Sequence, residues 1–317
     1  MSLLADEEGY VTDELIARHV ARAKGGFGLI DVEATGVNAR KSPKLLRISD
    51  DKFIPGLKKM TDAVHEYGCK FFMELYHPGN QGISEINGGI LLTPSGIQSK
   101  LTMEPVRAMT LDEIEDLIDR FISGAVRCQK AGIDGVLVHG AHGYLLNQFL
   151  SPYTNKRDDE YGGSVEGRAR MAVKIIEGIK EACGADYPVG IRLTANEYLD
   201  YNGQDPEEGI TLELTRKYVK LFEAAGVDLI DISSGNYETM NTAWEPVGFE
   251  QGWKLFSSAA MCFRLRRIGI RYSTGCGMFE IVFFSLHSVI NSGFVVAKSL
   301  NPGNNNAPLQ YGHPLPR

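Results

Sequence analysis

Three hydrogen-bonding side chains follow an apolar run near the middle of the chain. The stretch VLVHGAHGYLLNQFLSP, residues 136–152, opens like a buried strand and then carries His139, His142 and Tyr144. Two imidazole donors can hold a carbonyl oxygen, and a phenol with an ordinary pKa of about 10 keeps its proton at neutral pH. Together they could prepare a conjugated alkene for hydride attack, with a bound flavin or nicotinamide supplying the hydride.

Two other chemistries could use residues of the same kind. His139 and His142 could bind a metal ion, but they lie on a predicted turn and no HExxH-type spacing supports a metal site. The stretch Ser233-Ser234-Gly235 could carry a nucleophile, but it lacks a GxSxG frame. We predict no resident metal, and a barrel hydrolase or lyase that uses the histidines for metal or general-base work stays as an alternative.

The elements that must position these side chains form a repeating pattern. Five times an amphipathic stretch ends near a glycine, and a short β-branched run follows it. Glycine closes a helix in the left-handed conformation, and an apolar run suits a parallel strand that is buried on both faces. The third helix begins with a capping box, Thr110 to Glu113. We predict helices over residues 12–24, 51–67, 111–131, 168–183 and 211–224.

This helix–strand rhythm predicts a parallel α/β fold. A doubly wound sheet usually has a glycine-rich phosphate turn after its first strand, and no GxGxxG is present. We therefore predict a TIM (β/α)8-type barrel, whose active site lies at the carboxyl ends of its strands. The side chains expected to converge at that end are those of Glu33, Thr35, Glu74, His77, His139, His142, Arg192, Ser233 and Ser234.

Longer stretches of the chain resemble the Old Yellow Enzyme family of FMN-dependent ene-reductases. The resemblance rests on HGAHGYLLNQFLSPYTNKRDDEYGGSVEGRAR, ADEEGYVTDELIARHVARAKGGFGLIDVEATG, MELYHPGNQG and PVGIRLTANEY, and it runs from about residue 5 to residue 256. The branch that it is most similar to contains the 2-enoate and 2,4-dienoyl-CoA reductases. The resemblance implies an eight-stranded barrel that holds FMN at its mouth, with NADH or NADPH as the reductant.

The resemblance also implies roles for individual residues. His139 and His142 would bind the carbonyl oxygen of the substrate, and Tyr144 would protonate the neighbouring alkene carbon. The residues implied to contact FMN are Ala34, Glu74, Arg192, Ser234 and Gly235. Many relatives have glutamine at the position of Glu74, whereas a carboxylate can only accept hydrogen bonds. We therefore expect this position to shift the flavin potential.

The two ends of the chain depart from the family pattern. The first strand of the family should precede residue 5, so we expect the barrel to lack it. Residues 257–317 contain one acidic residue against six Lys and Arg, and the family motifs stop before them. We predict a barrel domain over residues 1–256 and interpret residues 257–317 as frame-shifted or replaced sequence. A diverged but folded tail is the alternative, and the last two strands are in doubt.

Composition limits the partners of the 317-residue chain. Its formal net charge is −7 and it has no basic stripe, which argues against binding to nucleic acid or to an anionic membrane surface. Its longest apolar run, residues 281–290, is about half a membrane span. The five cysteines are scattered without a CxxC pair, so we predict a reduced, cytoplasmic location.

Two functional interpretations remain beside the hydrolase or lyase. The first is an FMN-dependent oxidoreductase whose partner is a small molecule with an activated alkene, with a homo-oligomer left open. The second is an inactive, truncated or frame-shifted relative that binds no flavin.

Overall fold

The computed structural model describes residues 3–38 and 43–243, so the predictions for residues 257–317 and the domain boundary at residue 256 lie outside the described residues. The helices and strands are α1 (Asp13–Lys24), β1 (Leu29–Gly36), α2 (Ile54–His65), β2 (Lys70–Tyr76), β3 (Leu91–Thr93), β4 (Val106–Ala108), α3 (Leu111–Lys130), β5 (Gly135–Gly140), α4 (Leu145–Leu150), α5 (Val165–Cys183), β6 (Val189–Thr194), α6 (Leu212–Ala224), β7 (Leu229–Ser233) and α7 (Met240–Ala243).

The main sheet has five parallel strands in the order β1-β2-β5-β6-β7. Helices α2, α3, α5 and α6 connect successive strands of this sheet. Strands β3 and β4 form a separate pair in the long connection after β2. Parallel neighbours that follow chain order and are joined by helices have the arrangement of a βα barrel wall. The described residues therefore contain five strands of the predicted barrel.

Side-chain caps begin the long helices close to their predicted starts. Thr12 and Thr211 each accept a hydrogen bond from a backbone N–H of the first turn, and Thr110 and Glu113 form the predicted capping box. Helix α5 begins three residues earlier than predicted, because Ser164 caps it by accepting from the N–H of the third helical residue. Caps therefore decide where these helices begin.

Successive side chains of each strand point alternately toward the helices and toward the opposite, inner face of the sheet. In β2, Phe71, Met73 and Leu75 are fully buried in the main hydrophobic core, where they pack with side chains of the helices. Because successive side chains of a strand point to opposite faces, Glu74 and Tyr76 face the other way. The Glu74 carboxyl group therefore lies on the inner face of the sheet, away from the helices.

A close contact at the start of α5 leaves no room for a side chain. A Cβ on Gly167 would lie 2.1 Å from the carbonyl oxygen of Gly162. We expect Gly167→Ala to lower the free energy of unfolding by about 1–3 kcal/mol, because the backbone must shift to relieve the overlap. Gly28→Ala is the matched control, since a Cβ there would meet no atom of the described residues within 4 Å. Equal urea midpoints for the two variants would contradict this explanation.

Candidate active site

One arginine and three carboxylates form a charged layer on the inner face of the sheet. In β6, Arg192 donates from Nε to Asp231 Oδ2 at 2.5 Å and from Nη1 to Glu74 Oε1 at 2.5 Å, while its Nη2 lies 3.5 Å from Asp31 Oδ2. These four side chains are 2–11% exposed. One guanidinium thus serves three carboxylates that come from β1, β2 and β7.

Burial shifts the protonation of this charged layer. Burial raises the pKa of Asp31 well above its ordinary value, and the charge of Glu74 raises it further. Burial likewise raises the pKa of Glu74 to about 7, even though Arg192 opposes the shift. Near neutral pH the Glu74 carboxyl is therefore protonated part of the time, and it can then donate a hydrogen bond as well as accept one.

His139 lies at the end of β5, directly beside the charged layer. Its Nδ1 accepts a hydrogen bond from the backbone N–H of Ala141 at 3.3 Å. Its Nε2 lies 3.7 Å from Glu74 Oε1. Burial lowers the pKa of His139 well below its ordinary value, and the charge of Arg192 lowers it further. The ring is therefore neutral with its proton on Nε2, which makes it a single N–H donor.

His142 occupies a strained turn after β5. Its φ is +60°, in the left-handed region that costs a residue with a side chain about 1–3 kcal/mol. The backbone N–H of His142 donates to Thr194 Oγ1 at 2.9 Å, and its Nε2 lies 2.6 Å from Ser233 Oγ. The turn brings its ring within 5.3 Å of the ring of His139. The two imidazoles thus lie close together at the carboxyl end of β5.

Tyr144 is the third member of the group formed with His139 and His142. Its side chain is 5% exposed, and it packs edge-on against Tyr76 at 4.8 Å and against His139 at 4.9 Å between ring centroids. Burial raises the pKa of its phenol far above the ordinary value. Ala34 belongs to the same small hydrophobic cluster. Tyr144 is therefore a buried, protonated phenol beside a neutral imidazole.

Glu33 does not join this site, although it was predicted to. The register of β1 shifts between Val32 and Thr35, as at a β-bulge, and the shift changes the side to which the Glu33 side chain points. Its carboxylate lies 3.7 Å from Nε2 of His19 in α1 instead. His77 is also occupied locally, since its Nδ1 accepts the N–H of Gly79 at 3.1 Å.

Ser234 and Gly235 lie in the loop after β7, and their polar groups serve that loop. The Ser234 hydroxyl donates to the carbonyl of Thr242 at 2.7 Å. The carbonyl of Gly235 accepts from Thr194 Oγ1 at 3.0 Å. A Cβ on Gly235 would lie 2.4 Å from Thr242 Oγ1. These two residues shape the loop next to His142, and their contact with a flavin stays a prediction.

Sequence reasoning missed four residues of the site: Asp31, Tyr76, Asp231 and Tyr237. The aspartates carried a usable signal, because each stands in the middle of an apolar strand, in LIDVE and LIDIS. A charge inside such a run must be paired to be buried. Tyr237 belongs to no motif, and only the folded loop brings it to the site.

The described residues also limit metal binding and membrane insertion. Across residues 3–38 and 43–243, no group of three or more His, Cys, Asp or Glu side chains could hold a metal ion. Within the same ranges, no helix is both long enough and apolar enough to cross a membrane. The acidic groups of the charged layer surround a guanidinium instead.

Both the sequence and the fold of this chain are similar to those of known proteins. The sequence profile described as the NADH:flavin oxidoreductase / NADH oxidase family matches residues 2–259. The NADH oxidase of Thermoanaerobacter brockii is 43% identical over 257 residues, which is 80% of this chain and 38% of that protein. A 2-naphthoyl-CoA reductase, solved with 2-naphthoyl-CoA, has a TM-score of 0.77 at 30% identity and covers 83% of this chain and 41% of its own.

The old yellow enzyme homologue of Zymomonas mobilis is also similar, with a TM-score of 0.64 at 28% identity over 73% of this chain and 66% of its own. These likenesses confirm the TIM-type barrel and the resemblance to the Old Yellow Enzyme family. The chain spans only about two fifths of the NADH oxidase and of the naphthoyl-CoA reductase, 38% and 41%. The profile match covers most of its length, and the chain belongs to the NADH:flavin oxidoreductase / NADH oxidase family.

Proposed function

We propose that this chain is part of an FMN-dependent oxidoreductase that uses NADH or NADPH to reduce activated C=C bonds of enones or enoates. One observation carries the proposal: His139, His142 and Tyr144 meet at one end of the parallel strands, and His139 is the register partner of Arg192 on the neighbouring strand. The family description supports a flavin and NADH. The similarity to a reductase solved with 2-naphthoyl-CoA supports a conjugated acyl substrate.

The charged layer fits the polar edge of a flavin, which presents one N–H donor between two carbonyl acceptors. A guanidinium has five N–H donors, and Arg192 directs three nitrogens at carboxylates, which leaves N–H groups for carbonyl oxygens. Oδ1 of Asp31 and Oδ1 of Asp231 are buried without a hydrogen-bond partner among the described residues, and both can accept. Glu74 and Arg192 would hold this edge, and Ala34 would lie against the ring. When bound, FMN supplies the hydride.

The residues around His139 then perform the remaining chemistry. The Nε2–H of His139 and the ring of His142 would bind the carbonyl oxygen of the substrate, and this draws electron density out of the conjugated alkene. Ser233 holds the His142 ring in place through the 2.6 Å contact with Nε2. Tyr144 keeps its proton at neutral pH and would donate it to the carbon next to the carbonyl.

The first experiment is the visible absorption spectrum of the purified chain, before and after addition of FMN. We expect a bound-flavin spectrum that bleaches with NADH or NADPH under anaerobic conditions and recovers when an enone or enoate is added. A colourless protein that ignores added FMN would overturn the proposal in favour of the flavin-free relative. Stoichiometric metal in elemental analysis, together with hydrolase or lyase turnover, would favour the third interpretation.

A further inference from the structure

Two loops bring a second phenol to Tyr144. Tyr144 follows β5 and Tyr237 follows β7, and their hydroxyl oxygens lie 2.7 Å apart. The rings meet edge-on with centroids 5.5 Å apart. Tyr144 is 5% exposed and is packed between Tyr76 and His139, whereas Tyr237 is only partly buried. Tyr237 therefore lies between the buried phenol and solvent.

One buried residue, Glu197, holds both loops in place. The Glu197 side chain accepts a hydrogen bond from Asn147 Nδ2 at 3.2 Å, and Asn147 Oδ1 accepts the N–H of Gly143 at 2.6 Å, beside Tyr144. The backbone carbonyl of Glu197 accepts from Thr239 Oγ1 at 2.6 Å, in the loop of Tyr237. Side chain and backbone of the same residue thus set the positions of the two phenols.

Asn236 fixes the loop further, because its Oδ1 accepts the N–H groups of Glu238 and Thr239 at 2.9 and 3.0 Å. Burial raises the pKa of Tyr237, as it does that of Tyr144, so both phenols are protonated at neutral pH. Each hydroxyl then has one proton to give and lone pairs to accept another. These are the properties that a proton relay needs.

We propose that Tyr237 passes protons from solvent to Tyr144, an inference that rests on the proposed ene-reductase function. As the Tyr144 O–H bond breaks and its proton forms the new C–H bond of the substrate, the Tyr237 proton moves to the Tyr144 oxygen. Water then returns a proton to Tyr237. Only protons move along this path, and the two electrons reach the alkene as the hydride of the proposed reaction.

The test compares two oxidants of the reduced, FMN-loaded full chain. An activated alkene needs a proton at carbon, whereas ferricyanide removes electrons without one. We expect Tyr237→Phe to lower the ratio of alkene turnover to ferricyanide turnover by about tenfold, less than the loss of a direct proton donor, because water replaces the relay inefficiently. Tyr67→Phe is the control, since this 43% exposed tyrosine precedes β2 at the opposite end of the strands.

A second measurement needs no variant. In mixtures of H₂O and D₂O, the alkene rate of the unaltered chain should fall along a curve, because two protons move in one step. A straight line would overturn the relay, and so would equal ratios of alkene turnover to ferricyanide turnover in Tyr237→Phe and Tyr67→Phe. In either case, reduction of the bound flavin by NADH would still support the proposed function. A chain that takes up no FMN overturns both.

Discussion

Replacing Arg192 by methionine should lower the free energy of unfolding by about 3–5 kcal/mol, the range for breaking a buried ion pair from one side. Three buried carboxyl groups share this guanidinium, and its removal takes away the positive charge that pairs with all three. Urea denaturation at neutral pH measures the loss. The matched control is Arg120→Met, whose partner Asp116 lies 2.8 Å away on the exposed face of α3. Because that pair is exposed, its loss should cost less than about 1 kcal/mol.

The loss of stability caused by Arg192→Met should also depend on pH. Burial raises the pKa of Glu74 from 4.5 to about 7, so its contribution to stability is full below about pH 4.5 and is lost as the pH rises through about 7. Asp31 shifts in the same direction. Removing Arg192 should raise the pKa values of Glu74 and Asp31 further, since the positive charge of Arg192 lowers both. The stability difference between Arg192→Met and the unaltered chain should therefore be smaller at pH 5 than at pH 8, and an equal difference would contradict this account.

Replacing Tyr144 by phenylalanine should lower alkene reduction by about 10²–10⁴-fold, the usual contribution of a positioned proton donor. The ring packs edge-on against Tyr76 and His139, and phenylalanine keeps those contacts while removing the hydroxyl. Flavin reduction by NADH takes no proton from this phenol. Stopped-flow measurement of the two half-reactions should therefore place the loss in the reaction with the alkene.

The control for Tyr144→Phe is a second buried tyrosine. Tyr187 is 8% exposed, and its hydroxyl donates to the carbonyl of Ile133 at 3.2 Å, at the end of the strands opposite to the site. Tyr187→Phe should cost about 1 kcal/mol of stability and leave the alkene reaction in place. Similar losses of alkene turnover in the two variants would indicate a general packing defect and would remove Tyr144 as the proton donor.

Helix starts and strands could be predicted from signals that act within a few residues. Thr12, Thr110 and Thr211 cap helices at the predicted starts, because a side-chain oxygen there satisfies a backbone N–H that has no other partner. Apolar runs after closing glycines became strands β1, β2, β5, β6 and β7. His139 and His142 were expected at the mouth of the barrel because they follow a strand, and the role of Tyr144 beside them was what the family resemblance implied.

Other parts of the site depend on strands and loops far apart in the sequence. Arg192 was predicted as a flavin contact, but its pairing with Asp31 and Asp231 follows from the order and register of three strands. Glu33 was predicted at the site, and a register shift in β1 directs it to His19 instead. The shift interrupts the simple alternation of the strand, and it becomes visible only where β1 pairs with β2.

The sequence by itself determined the strand runs, the family and the starts of the three helices that threonines cap, because caps, closing glycines and motif spacing act within a few residues. Only the tertiary structure decided which charges share the Arg192 guanidinium and which phenol meets Tyr144. Those contacts join residues that are far apart in the sequence. Arg192 lies 39 positions from Asp231 and 161 from Asp31, and Tyr144 lies 93 positions from Tyr237. Burial then shifts the pKa values of Asp31, Glu74 and Tyr144, and burial exists only once the strands and helices have packed.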